Sequence, residues 1–448
     1  MTSSQDDRLD LLADLVAQAK RAGADAADAI LVDAAAISHA QRLGKLEKLE
    51  RAESQDLGLR VFVGKRQAIV SSSDRAKKTL DSLVERAVAM ARAAPEDPFC
   101  GLAEPAELAA SLPELDLVDP VEPAVDALVE RARAAEETAL AVKGITNSEG
   151  AEASWSKGGV ALAASNGFAA AYARTNHSVS VSVLAGEGTA MERDYDYSLA
   201  VYGGDLESPE ALGRRAAERT LKRLNPRKVS TKKAPVVYDP RVAGGLLRHL
   251  AGAINGAAIA RGTSFLKSKL GRKIFPDDVT IVDDPFRRRG LGSRPVDGEG
   301  IAPKRRAIID KGVLATWLLD LRSARQLEMK STGHAARGTG GPPGPAATNL
   351  YLEAGATRRD DMIKAIDDGL YVTELIGMGV NGVTGNYSRG AAGFWIENGE
   401  IAYPVSEITI AGNLNQMFAH LAAADDLVFR YGVDAPTLRI DGMTIAGR

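Results

Sequence analysis

Cysteine is nearly absent from this chain. The single Cys100 rules out an internal disulfide and fits a reducing compartment. Histidine is scarce as well: His39, His177, His249, His334 and His420 make up the whole set. A catalytic zinc site takes three protein ligands, commonly two histidines from one helix and a third group from elsewhere. Here the two histidines nearest in sequence are His177 and His249, so no pair shares a helix face, and Cys100 has no cysteine or histidine beside it. A peptidase-type zinc site therefore cannot be assembled from local motifs.

An excess of either charge is also lacking. The 56 basic and 59 acidic residues leave a net charge of -3, which predicts neither a nucleic-acid partner nor a membrane-surface partner. No apolar run approaches the roughly 18 residues of a membrane helix. The opening MTSSQDDRLDLL has no basic start or continuous apolar stretch of a signal peptide. These readings make cytoplasm the expected location.

The residues that are present suit a globular protein. Of its 448 residues, 45% are hydrophobic and 26% charged, and the length suggests two or three domains at about 150 residues each. Leu9, Leu12, Val16 and Ala19 share a face, predicting a helix over 6–21 that Gly23 stops. A second helix is predicted from Ser73 or Asp74, with Leu80, Leu83, Ala87 and Met90 as its stripe. Between these helices, Leu59, Val61 and Val63 alternate, Gly64-Lys65 turns, and 68–70 returns, as in a strand pair. Residues 94–123 look like a connector, and 123–141 a helix. Asn166-Gly167 marks a hairpin between 160–164 and 168–173. His177–Val183 (HSVSVSV) alternates as a half-buried strand. Ser208 caps the next helix, with Pro209 at its first position.

The stretch 225–235 (NPRKVSTKKAP) is polar and bracketed by prolines, so it is the best domain boundary. The expectation is an α+β chain of two domains, an N-terminal α/β unit over 1–225 and a β-rich unit over 226–448. The second would contain one long helix over 240–260, followed by short apolar runs at 279–282, 307–309, 314–319, 394–396 and 408–410. Those runs predict a curved, mostly antiparallel, barrel-like sheet. Gly333–Gly344 reads as a loop too flexible to be an element, of the kind often found near ligands.

Two motifs have the form of catalytic signatures without their context. Gly377-Met378-Gly379-Val380-Asn381-Gly382 matches GxGxxG, but the glycine-rich stretch after it leads to a strand instead of the required helix. Gly385-Asn386-Tyr387-Ser388-Arg389-Gly390 sets a serine among glycines but is not G-x-S-x-G, and no helix follows. Asn381, Thr384, Asn386, Tyr387, Ser388 and Arg389 still form a dense polar set. They fit either a sheet corner that satisfies its own backbone or a substrate-facing loop. On the long helix, Gly252 and Gly256 give a smooth face that would admit a strand or a partner subunit.

LLRHLAGAINGAAIARGTSFLKSKLG (246–271), VDDP (282–285), KSTGHA (330–335) and VNGVTGNYSRGAAGFWIENGEIAYPVSEITIAGNL (380–414) resemble the TldE, or PmbA, branch of the TldD/PmbA family. The resemblance runs through nearly the whole chain. It implies a subunit of a heterodimeric cytoplasmic metallopeptidase whose TldD-type partner carries the zinc on an HExxxH helix, with a cysteine near its C-terminus. The TldE-type chain itself would need no cofactor and would complete a chamber for unfolded peptides. Aligned on RGTS, the two zinc histidines fall on Leu247 and Gly252 and the catalytic glutamate on Arg248. The segment 430–438 has no cysteine. Asn386 stands where the family commonly has aspartate. His334 and the 381–389 set are the substrate-contacting candidates. Two other readings stay open: a homodimeric peptide-binding scaffold, and a hydrolase using Ser388 or Thr384.

Overall fold

The computed structural model describes residues 5–447, so the first four residues of the opening stretch lie outside the described residues. Helix α1 (Gln5–Arg21) precedes strands β1 (Ala26–Arg42), β2 (Lys45–Val63) and β3 (Arg66–Ser72). Helices α2 (Lys77–Ala93) and α3 (Val125–Leu140) flank the irregular connector, and strands β4 (Ile145–Ala164), β5 (Ala169–Ala185) and β6 (Glu192–Ala200) lead to α4 (Pro209–Lys222). The six strands form one antiparallel sheet in the order β3-β2-β1-β4-β5-β6.

Side chains alternate across a strand, and here the odd-numbered residues of β1 and β4 face the helices. Ala27, Ala29, Leu31 and Ala161 pack under α1 and α2 through Leu12, Leu15, Leu83 and Ala87. Ile37, Ala153 and Trp155 pack under α3 and α4 through Leu128, Ala132 and Leu212. Each fully buried leucine of this kind contributes roughly 1.5–3 kcal/mol. The even-numbered face, with Ile30 and Leu162, packs against Val296 of the C-terminal half.

The second half closes into a barrel. Strands β7 (Lys232–Tyr238), β8 (Asp368–Ile376), β9 (Asn386–Glu397), β10 (Glu400–Asn413) and β11 (Leu438–Ala446) hydrogen-bond in the order β10-β9-β8-β7-β11. Pairing of Thr409 with Ala446 then joins β10 to β11. Only the β7–β8 pair is parallel. Register shifts in β8, β9 and β11 supply the bends that closure needs. Beside the barrel, short strands including Ile281–Asp283, Arg306–Asp310 and Leu350–Leu352 form a second small sheet. The α+β architecture with a barrel-like sheet agrees with the sequence expectation.

Four local expectations are corrected. The helix expected as one run over 240–260 is two, α5 (Pro240–Ala253) and α6 (Gly256–Ala260). Leu318 forces the break: its N–H donates to Ile254 O at 3.1 Å and its carbonyl accepts from Gly256 N at 2.8 Å. Asn255 then caps α6 by accepting from Ala257 N. α2 starts at Lys77 because Asp74 instead closes a local turn, accepting from Ala76 N at 2.8 Å. The run at 314–319 supplies only the strand Val313–Leu314 before the chain turns irregular. The glycine-rich stretch 333–344 is ordered: Ala335 pairs with Pro345. Its centre is docked on the first sheet, where Thr339 Oγ1 donates to Asp56 and its backbone lies over Gly58.

Candidate functional site

Helix α5 positions the residues that the resemblance places at the metal. Asp239 caps it, accepting from Arg241 N at 2.9 Å, and Pro240 occupies the first turn. Leu247 is 2% exposed and belongs to the main core of the C-terminal half. Arg248 and Gly252 face outward, and a Cβ on Gly252 would meet nothing within 4 Å. His249 is half-buried, with its ring edge-on to Tyr387 at 5.9 Å. Burial, Arg389 and Arg248 all hold its imidazole below the ordinary pKa, so it is neutral at pH 7. A hydrocarbon, a guanidinium and an absent side chain offer no zinc donors. Among the described residues, no three His, Cys, Asp or Glu side chains gather as a metal site. The residues present therefore do not fit a zinc ion at α5.

The outward face of α5 meets an aromatic cluster that no motif announced. Tyr195 and Tyr197 of β6 stack at 6.1 Å, and Tyr197 lies 5.1 Å from Tyr431. Arg241 covers Tyr195 and pairs with the buried Asp194 at 2.7 Å. Gly244 lets the C-terminal segment come this close, since a Cβ there would lie 2.6 Å from Val433 O.

The polar loop between β8 and β9 mainly satisfies its own backbone. Asn381 Oδ1 accepts from Val383 N and Thr384 N at 2.9 and 3.1 Å. Thr384 Oγ1 accepts from Asn386 N, and Asn413 Nδ2 donates to both Thr384 O and Asn386 Oδ1. Tyr387 points inward and is 2% exposed. Strand alternation turns the exposed Ser388 away from Tyr387 and therefore away from His249. Among the described residues, Ser388 has no base positioned on its hydroxyl. Arg389 donates to Ile376 O at 3.3 Å. Ile376, Met378 and Val383 lie exposed on the same loop.

His334 is not brought to that loop. It is 1% exposed, with Nδ1 2.8 Å from Thr332 Oγ1 and Nε2 3.1 Å from Asp283. Thr348 donates to the same Asp283 carboxylate through its N–H and its hydroxyl.

Several hollows lie away from α5, two of them against the first sheet. A polar cleft of about 1080 Å³ opens over the helix-facing side of the first sheet, lined by Arg8, Asp33, Arg51, Arg75, Trp155 and Lys157 among others. A cavity of about 340 Å³ separates the other face of that sheet from the C-terminal half. Both depend on contacts between segments far apart in sequence, so no local pattern could have located them.

Family models cover most of the chain. Residues 27–91 match the PmbA/TldA metallopeptidase domain 1, 118–224 the central domain and 231–447 the C-terminal domain. The strands of the first two regions share one sheet. The chain is 42% identical to metalloprotease PmbA of Escherichia coli O157:H7, covering 95% of this chain and 93% of that protein. It is 37% identical to the PmbA homologue of Haemophilus influenzae, covering 96% and 94%. A Bacteroides thetaiotaomicron crystal structure, described as a candidate modulator of DNA gyrase, superposes with a TM-score of 0.91 at 30% identity, covering 99% of each chain. TldE from Thermococcus kodakarensis shares the fold, with a TM-score of 0.86 at 20% identity over 98% of this chain and 100% of that one.

Proposed function

The chain belongs to the PmbA/TldD metallopeptidase family, and from that membership we propose that it is the zinc-free, non-catalytic subunit of a two-chain cytoplasmic peptidase. The observation that carries this reading is α5 itself. The helix is kept, but Leu247 is sunk in the core while Arg248 and Gly252 replace a glutamate and a histidine. A TldD-type partner would bring the zinc, and this chain would shape the chamber for unfolded peptides.

The first sheet supports that role. β3 pairs only with residues 57–63 of β2, so the exposed stretch 45–54 keeps an open edge. Extended peptides bind such edges through main-chain hydrogen bonds, without catalytic side chains. Substrate contact by the exposed members of the β8–β9 loop, Asn381, Thr384, Asn386 and Ser388, together with Arg389, is part of the same proposal. The open α5 face at Gly252 favours a second reading, pairing with a second copy of this chain as a peptide-binding scaffold.

The test is co-purification with a TldD-type protein, followed by metal analysis and a peptide cleavage assay. The expected result is a heterodimer with zinc in the partner and activity only in the complex. Robust cleavage by this chain alone, or stoichiometric zinc bound to it, overturns the reading. Gel filtration with and without the partner separates self-pairing from the heterodimer.

A further inference from the structure

The cavity of about 340 Å³ between the first sheet and the C-terminal half has walls of two kinds. One is aliphatic: Ile30, Val32, Val160, Leu162, Ala170 and Val296. The other carries three arginines from three separate segments: Arg174 on β5, Arg294, and Arg337 from the docked glycine-rich stretch.

These guanidiniums are poorly neutralised. Arg337 has a fully buried side chain whose one anionic contact among the described residues is Asp28, at 2.7 Å, and Asp28 is shared with Arg60. Its Nε and Nη2 have no hydrogen-bond partner among the described residues. Arg174 donates to Leu291 O, and its Nε is unpartnered. Arg294 donates to the carbonyls of Ala335, His334 and Ala346, and its Nε is unpartnered as well. Carbonyl oxygens satisfy N–H groups but do not cancel a full charge, and an uncompensated buried charge is costly.

The nearby acids do not make up the deficit. Asp28 answers to two arginines. The Asp297 carboxylate accepts from the N–H groups of Glu299, Ile301 and Ala335 and forms no ion pair with an arginine among the described residues, while burial pushes Glu299 up to about 8. Asp33 also lines the cavity but is paired with Arg8 at 2.8 Å. The cavity therefore has excess positive charge on one side and hydrocarbon on the other.

We propose that this interdomain cavity binds a small apolar carboxylate, an amino acid or the free C-terminal end of a short peptide. The arginines take the carboxylate, which suits guanidinium fork geometry, and the aliphatic wall takes the side chain. The volume is at the lower end of the roughly 300–1,000 Å³ usual for ligand pockets, which limits the buried part to about one residue. The site lies within one chain and needs no partner subunit, so the proposal stands or falls apart from the peptidase reading.

The test is calorimetric titration of the full chain with N-acetylleucine, N-acetylleucinamide and inorganic phosphate. The expected result is saturable binding of the acid, with the amide and phosphate each at least tenfold weaker. Arg174, which has no carboxylate partner among the described residues, gives the variant: Arg174→Gln is expected to weaken the acid at least tenfold, and Arg174→Lys to weaken it less. Equal binding of acid and amide overturns the proposal without any variant. Phosphate binding as tight as the acid overturns the aliphatic half of the site. Unchanged affinity in a folded Arg174→Gln protein overturns the role of the arginines.

Discussion

Glu299 is a buried carboxyl whose ionisation pH can read. It is 9% exposed, and its carboxylate accepts from Leu321 N at 2.8 Å. Burial, with Asp297 and Asp320 adding repulsion against Arg60, pushes its pKa up to about 8, whereas an unfolded glutamate titrates near about 4.3. Between those pH values the unfolded chain has released the proton and the folded chain still holds it. The folded-state pKa is the raised one, so this contribution to stability is complete below about pH 4.3. It is lost as pH rises, at about 1.4 kcal/mol per unit, up to the folded pKa. Glu299→Gln keeps an acceptor for Leu321 N and cannot ionise. Near pH 4.5 the two proteins should differ by less than about 1 kcal/mol, and by pH 8.5 the variant should be more stable by about 3–5 kcal/mol. With a urea slope of about 2–3 kcal/mol per molar, the midpoints separate by about 1–2 M. Urea unfolding at pH 4.5, 6.5 and 8.5 measures this. Midpoints of wild type and variant that run parallel across that range refute the reasoning.

Further outcomes follow from other residues. Burial alone would raise the Asp28 carboxyl, but Arg337 and Arg60 hold it below the usual range. Its contribution is therefore present above about pH 4 and lost on acidification, and Asp28→Asn should cost about 3–5 kcal/mol at pH 7, against a urea-unfolding result under about 1 kcal/mol that would contradict it. Ser388→Ala should leave kcat of the two-chain complex within about twofold, because Ser388 faces away from His249, with any lost substrate contact appearing in KM; a hundredfold drop in kcat, about 2.7 kcal/mol, would revive the hydrolase reading. Gly58→Ala would place a methyl group 2.3 Å from Thr339 O, so it should lift the docked stretch off β2 at about 1–3 kcal/mol. Faster limited proteolysis within 333–344 is the readout.

What the sequence disclosed depended on the reach of the interaction that fixed each feature. The stripe Leu80-Leu83-Ala87, the HSVSVSV alternation and the Asn166-Gly167 turn are settled by neighbours a few residues away, and each appears in the fold. β1 was invisible because AADAILVDAAAISHAQR has few of the β-branched residues that mark a strand, and pairing with β2 and β4 on both sides decides it. The break between α5 and α6 depends on Leu318, far along the chain. Distance also separates the two kinds of site. Leu247, Arg248 and Gly252 lie within one motif of six residues, so the resemblance of that single segment is enough to propose them as the former metal positions. The arginine-lined cavity needs β5, the segment around Arg294 and the glycine-rich stretch to meet, and that stretch reads as mobile until Asp28, Asp56 and Gly58 receive it. Gly58 is the decisive partner here, because any side chain would hold Thr339 away and leave Arg337 without its carboxylate. The glycines of 333–344 are therefore only half of a docking arrangement whose other half lies in β2, and only the folded chain brings the two together.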